Sequence, residues 1–225
     1  MSGDISTPRN LPDFSGLDLA FDIVDSHHHL FDLQAVHYPW LTDHQEENFL
    51  LGNYDALKRN YSPTDLRRDM AKLRVVKTVH VEAEADRDGQ LDETRWLTGV
   101  MAEHGLPNAI VAHAWLNRPN SAEVLAAQAA FPAVRGIRSK PRTSPTAASR
   151  GDVRGLSASL QDPAWRKAWA GCANMACPGI CGCRSGIWRR RRRFVLCTPT
   201  WPLSPSIRDW PGTVAKKAWA NGAAA

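Results

Sequence analysis

The sequence predicts an α/β fold built from parallel βαβ units, on three observations. Four short β-branched stretches recur along its first part, helical patterns separate them, and the first stretch runs into three consecutive histidines.

Residues 1–20 are rich in Pro, Gly, Ser and Asp and read as an extended lead-in. Phe21-Asp22-Ile23-Val24-Asp25 alternates as a short strand that delivers Ser26-His27-His28-His29 at its carboxyl end. From Leu30 to Tyr61 there are aromatic and turn residues but no clean period. A loop of that length is unusual without a binding or lid role. Ser62 or Thr64 caps a helix to about Leu73, and Val75 to Glu82 is β-branched enough for a second strand. Leu91 to His104 reads as a helix closed by Gly105, and Ala109 to Trp115 as the third strand. Ser121 caps a helix to about Ala130, followed by a short fourth strand, Val134 to Arg138. Such a sheet is either open and doubly wound or closed into a barrel, and periodicity does not choose. Past Trp165 the pattern fails, with no convincing helix or strand period over residues 171–212 and only a helix fragment at 213–225.

Charge divides the chain at the same place. The net +5 of the 225 residues is a net of −5 over residues 1–162, where 17 Lys and Arg face 22 Asp and Glu, and +10 beyond. All five cysteines, Cys172, Cys177, Cys181, Cys183 and Cys197, also fall in the later part. The cysteine-free first part, with no secretory signal ahead of it, reads as a reduced cytoplasmic domain. No apolar run approaches the length of a membrane span, so no membrane partner is expected. Nothing in the sequence sets an oligomeric state.

The chemistry-bearing residues gather at predicted strand ends. His27 and His29 lie two apart, so on a strand both imidazoles point to one side and can share a divalent ion, whereas His28 points away. A solvated turn or a packing cluster is the plainer reading of the same three residues. His80 and Glu82 repeat the same-side spacing, Glu84 continues it, His113 sits near the end of the third strand and Arg138 ends the fourth. In a parallel barrel these positions would form a ring. Glu82 and Arg138 are the candidate catalytic residues, because the guanidinium fork of Arg138 suits a substrate carboxylate. Each taken singly has a plainer reading, packing for His80 and a hydrogen bond within the barrel mouth for Glu82.

Five segments carry a family resemblance: Val24-Asp25-Ser26-His27-His28-His29-Leu30-Phe31-Asp32, Tyr38-Pro39-Trp40-Leu41, Val79-His80-Val81-Glu82-Ala83, Glu93-Thr94-Arg95-Trp96-Leu97 and Val134-Arg135-Gly136-Ile137-Arg138. Together they resemble, in order over residues 20–170, the amidohydrolase-related branch of the amidohydrolase superfamily. That branch includes lactonases similar to fuconolactonase and 2-pyrone-4,6-dicarboxylate lactonase. The resemblance implies a TIM-like (β/α) barrel, of which residues 21–170 represent the N-terminal half, and water attack on the lactone, ester or amide carbonyl of a small acidic substrate. It also implies a divalent ion, zinc first, held in part by His27 and His29, although some lactonases of this branch work without a metal. Relatives draw further histidines from the fifth or sixth strand and an aspartate from the eighth. This chain has no histidine after His113, and Asp209 has no family context around it. Impaired hydrolysis, or an inactive barrel fragment, follows from that shortfall.

Residues 171–225 read as an out-of-frame or disordered tail. Codons exist that encode Gly171 to about Trp201 and, in another frame, give a helix end, a strand, a polar loop and an amphipathic helix. Two other readings of the tail are weaker. Cys177-x3-Cys181-x-Cys183 is off the usual spacing for structural zinc. The run Arg189 to Arg193 has no recognition motif around it, so no nucleic-acid partner is expected.

Overall fold

A computed structural model describes residues 21–45, 53–142, 150–174 and 179–181. The chain divides into two units, Met1–Gly186 and Ile187–Ala225, and every described residue belongs to the first. The elements in chain order are β1 (Ile23–His28), α1 (Pro39–Thr42), a 3-10 turn (Asp55–Leu57), α2 (Pro63–Asp69), β2 (Val75–Val81), α3 (Asp92–His104), β3 (Ala109–His113), α4 (Ser121–Ala129), β4 (Val134–Ser139), α5 (Arg150–Val153), α6 (Pro163–Asn174) and β5 (Gly179–Cys181). The five strands are all parallel and stand in the order β1-β2-β3-β4-β5. Each strand pairs with the next in sequence, with no reversal of direction across the sheet. That is the singly wound order of a (β/α) barrel, and it resolves the choice that periodicity left open.

Local sequence explains most boundaries. Ser62 closes a capping box with Asp65, each side chain bonding the other's backbone N–H at 3.2 and 2.9 Å, with Pro63 in the first helical turn. Gly105 ends α3 in the left-handed region at φ 70°, its N–H reaching Met101 O at 2.9 Å. One continuous core joins strands to helices: Ile110, Ala112 and Ile137 from the sheet pack with Leu97, Leu125 and Trp165 from α3, α4 and α6. Burying side chains of this size is worth roughly 1.5–3 kcal/mol each, which holds the helices to one face of the sheet.

Several expectations need correction. The first strand continues three residues beyond Asp25, because β1 takes a register shift between Asp25 and His28 that keeps it paired with β2. The segment 30–61 is more than loop. Its ends are tied by an antiparallel bridge between Phe31 and Tyr61, and Phe31, Val36, Tyr38, Leu41 and Tyr54 form a second small core with Ala83 and Ala85. α2 stops at Asp69 and not at Leu73, and α4 begins at Ser121 after Asn120, with no side-chain cap. The stretch beyond residue 171 is not devoid of regular structure: α6 runs on to Asn174, and β5 pairs with β4 through Ile137↔Gly179, Arg138↔Ile180 and Ser139↔Cys181. A three-residue strand is too short to show a period, and its backbone groups, not its pattern, complete the ladder. Arg189 to Arg193, Cys177, Cys183, Cys197 and Asp209 lie outside the described residues. Among the described residues no helix is long and apolar enough to cross a membrane.

Candidate active site at the carboxyl ends of the strands

Because the strands are parallel, their carboxyl ends share one face, and the predicted site residues meet there in two clusters. The first lies at the end of β1. The His27 and His29 rings stand edge to face with centroids 5.0 Å apart. His27 is exposed and His29 half-buried. His29 Nδ1 lies 2.6 Å from Val81 O, so it carries the proton and donates, which leaves the Nε2 lone pair unprotonated. Burial, with His80 nearby, pushes the His29 pKa down to about 3, and the ring stays neutral. A carbonyl that fixes the tautomer in this way is what a metal-binding imidazole requires. Among the described residues, however, no three His, Cys, Asp or Glu side chains are grouped to hold an ion. The pair fits part of a metal site and not a whole one. His28 is 8% exposed, packs edge-on to His80 at 5.7 Å, and has no hydrogen-bond partner at either nitrogen among the described residues.

The second cluster centres on Glu82, which is fully buried. Arg138 Nε lies 2.5 Å from Glu82 Oε1, and a second guanidinium nitrogen donates to Glu82 O. His113 Nδ1 lies 3.1 Å from Glu82 Oε2, at ion-pair distance but poorly aligned for a hydrogen bond, and Glu84 N–H donates to that oxygen at 2.8 Å. Burial opposes the charge on Glu82, but the neighbouring His113 and Arg138 hold its carboxyl well below the usual range. Both oxygens are thereby occupied, so Glu82 faces its partners and not solvent. Glu84, at φ 59°, sits in the left-handed region that side-chain-bearing residues seldom adopt, and its carboxylate pairs with Lys140 at 2.8 Å.

The expected same-side run of His80, Glu82 and Glu84 does not hold as a unit, because β2 ends at Val81. His80 belongs to a separate buried network. Its Nδ1 accepts from Leu30 N–H at 3.2 Å, so its proton sits on Nε2, 3.2 Å from Glu93 Oε1. The Tyr38 hydroxyl also donates to that oxygen, at 2.9 Å, and Ala83 N–H donates at 3.1 Å. Burial, reinforced by Glu82, pushes the Glu93 carboxyl up to about 8, and burial pushes His80 down to about 3. Three chain segments, at Tyr38, at 80–83 and in α3, are thus tied at one acid. Tyr38 and Glu93 each lie within a resembling segment, but their pairing across 55 positions leaves no local signal in the sequence.

Beside these clusters lies a cleft of about 160 Å³ lined by Trp40, His44, Glu84, Asp86, Arg87 and Trp115, among others. The Arg87 guanidinium lies 4.1 Å over the Trp115 ring. Trp40 is anchored by its Nε1–H to Ala83 O at 2.8 Å.

No protein-family model matches the chain. Over 116 residues it is 35% identical to a protein of Sinorhizobium fredii described as uncharacterized protein y4mH, a match spanning 52% of this chain and 39% of that one. Among solved structures it is similar to an amidohydrolase of Burkholderia multivorans with bound zinc, at 23% identity and a TM-score of 0.46, over 69% of this chain and 47% of the other. It is also similar to a probable 2-pyrone-4,6-dicarboxylic acid hydrolase of Acinetobacter baumannii with citric acid bound, at 12% identity and a TM-score of 0.44, over 70% and 48%. The chain spans less than half the length of each of these relatives.

Proposed function

We propose that this chain carries the N-terminal half of a hydrolase site of the amidohydrolase type, at which water attacks the carbonyl of a small lactone, ester or amide. The observation that carries the reading is the His27–His29 pair at the end of β1, with His29 oriented through Val81 O and its Nε2 left unprotonated. His27 and His29 would hold a divalent ion, zinc first, and such an ion activates water and polarises a carbonyl. Arg138 meets a carboxylate on the substrate, and Glu82 positions the guanidinium for it. The missing ligands and a base would come from a second half of the barrel. A second reading, an inactive barrel fragment, is favoured by one observation: two imidazoles are grouped for an ion and no third ligand joins them among the described residues.

The test is zinc binding and hydrolysis of a simple lactone by the full chain and by the double variant His27→Ala, His29→Ala. The expected result is weak, near-stoichiometric zinc that the variant loses, with slow turnover in the parent at best. Zinc bound equally by both chains would remove the metal role. Zinc binding without any turnover would select the fragment reading.

We also read residues 171–225 as out of frame, in a protein that works in the cytoplasm without nucleic acid or membrane. The abrupt change in charge and the confinement of the five cysteines support the frame reading. Resequencing of the coding DNA across this stretch, aligned with an intact homologous gene, tests it; absence of any insertion or deletion would overturn it.

A further inference from the structure

His37 lies outside both clusters, at the start of the segment that carries α1, and it faces a carboxylate on each ring nitrogen. Its Nε2 is 2.8 Å from Asp43 Oδ2 and its Nδ1 is 3.1 Å from Asp86 Oδ2. A carboxylate only accepts, and a neutral imidazole carries a single N–H. With either tautomer of the neutral ring, one carboxylate would therefore confront a lone pair. Only the imidazolium satisfies both neighbours.

The contacts around His37 join two chain segments that both line the cleft. Asp43 closes α1, whose segment contributes Trp40 and His44 to one wall. Asp86 belongs to the other lining segment, the β2–α3 connection, and its N–H also donates to His37 O at 2.9 Å. We propose that His37 is a protonation-dependent latch that fastens the α1 wall of the cleft to the Asp86 wall, so that the cleft is held closed in acid and loosened in base. This inference rests on the cleft alone and not on the hydrolase reading.

The charged groups facing the latch are Asp43 from the end of α1 and Asp86 from the β2–α3 connection, with His44 adding a weaker influence on Asp43. The hydrogen bond that His37 donates to the Asp43 carboxylate raises the His37 pKa above its ordinary 6.5, with Asp86 adding to the rise. The Thr42 hydroxyl, bonded to Asp43 Oδ1 at 2.7 Å, holds that carboxylate towards the ring. On deprotonation the ring loses one of its two donors, and two carboxylates are left beside a neutral group.

Amide hydrogen exchange on the full chain reads the latch directly. The reporters are the N–H groups of Asp86, bonded to His37 O, and of Asp43, bonded to Pro39 O, with Ile110 in the core as control. After correction for intrinsic base catalysis, their protection should fall roughly fivefold between pH 6 and pH 8.5, the size that two surface ion contacts support. Ile110 should not follow. His37→Gln should be weakly protected already at pH 6 and show no step. A flat profile in the parent chain, or a step that survives in His37→Gln, would overturn the proposal. Should that variant fold poorly, direct NMR titration of the His37 ring decides: a midpoint above 6.5 supports the latch and one at or below 6.5 overturns it.

Discussion

The two clusters at the carboxyl ends of the strands differ in how completely they are satisfied. Around Glu82 both carboxylate oxygens are met, by Arg138, by His113 at ion-pair distance and by a backbone N–H, although neither ring nitrogen of His113 finds a hydrogen-bond partner among the described residues. At the end of β1 the three histidines are neutral-leaning bases: among the described residues His28 has no partner at either nitrogen, and no third ligand joins His27 and His29. A carboxylate met by ion pairs holds its neighbours in place, whereas unprotonated imidazole nitrogens are able to accept a ligand.

Removing a partner from the Glu82 cluster should have the largest effect. Arg138→Ala leaves Glu82 buried without the guanidinium that meets its Oε1, and breaking a buried pair from one side costs about 3–5 kcal/mol. Urea unfolding of the variant against the parent measures it. A loss below about 1 kcal/mol would mean that Glu82 is solvated or rearranges, and that the two clusters are not so different. The double change Glu82→Leu with Arg138→Met should recover much of the loss, since neither leaves a charge behind.

The histidine cluster predicts the opposite sign. His28 is buried with two unpaired nitrogens, so His28→Phe removes unsatisfied polar atoms while keeping a ring beside His80. The folded chain should gain about 1–3 kcal/mol. A loss of stability would show that a partner for His28 exists outside the described residues, and would make the first cluster more complete than it looks.

How much of this contrast was legible beforehand depends on the range of each interaction. The β-branched runs at 75–81, 109–113 and 134–139 announced their strands, because pairing and burial act on consecutive residues. Ser62 and Gly105 announced helix ends through local hydrogen bonding and a local backbone need. His27 and His29 do meet, as their spacing suggested, although β1 ends at His28 and His29 lies just beyond it. The break in alignment between His80 and Glu82 was not legible, since it follows from where β2 stops pairing. Nor was the role of Glu93, which is set by Tyr38 and by the backbone of Ala83. The small core under residues 30–61 was missed for a related reason: its aromatics pack without helical or strand periodicity.

Glu93 supplies the finest test, because it stands between the two regions and differs from both in keeping its proton. Its Oε1 takes Tyr38, His80 and the shorter arm from Ala83, while Oε2 has only the longer arm at 3.3 Å, which makes Oε2 the oxygen that holds the proton. Glu93→Gln places an amide nitrogen there at nearly equal volume, so the variant should match the parent within about 1 kcal/mol in acid. The difference lies in slope. A carboxyl whose folded pKa is about 8, above its ordinary 4.5, contributes stability that is fully present below 4.5 and is lost as pH rises through 8. The parent should therefore lose stability relative to Glu93→Gln as pH climbs from 5 to 9, read as diverging urea midpoints. Parallel midpoints across that range would mean that Glu93 is ionised throughout. Its donors would then outweigh its burial, and it would join Glu82 as a second buried anion.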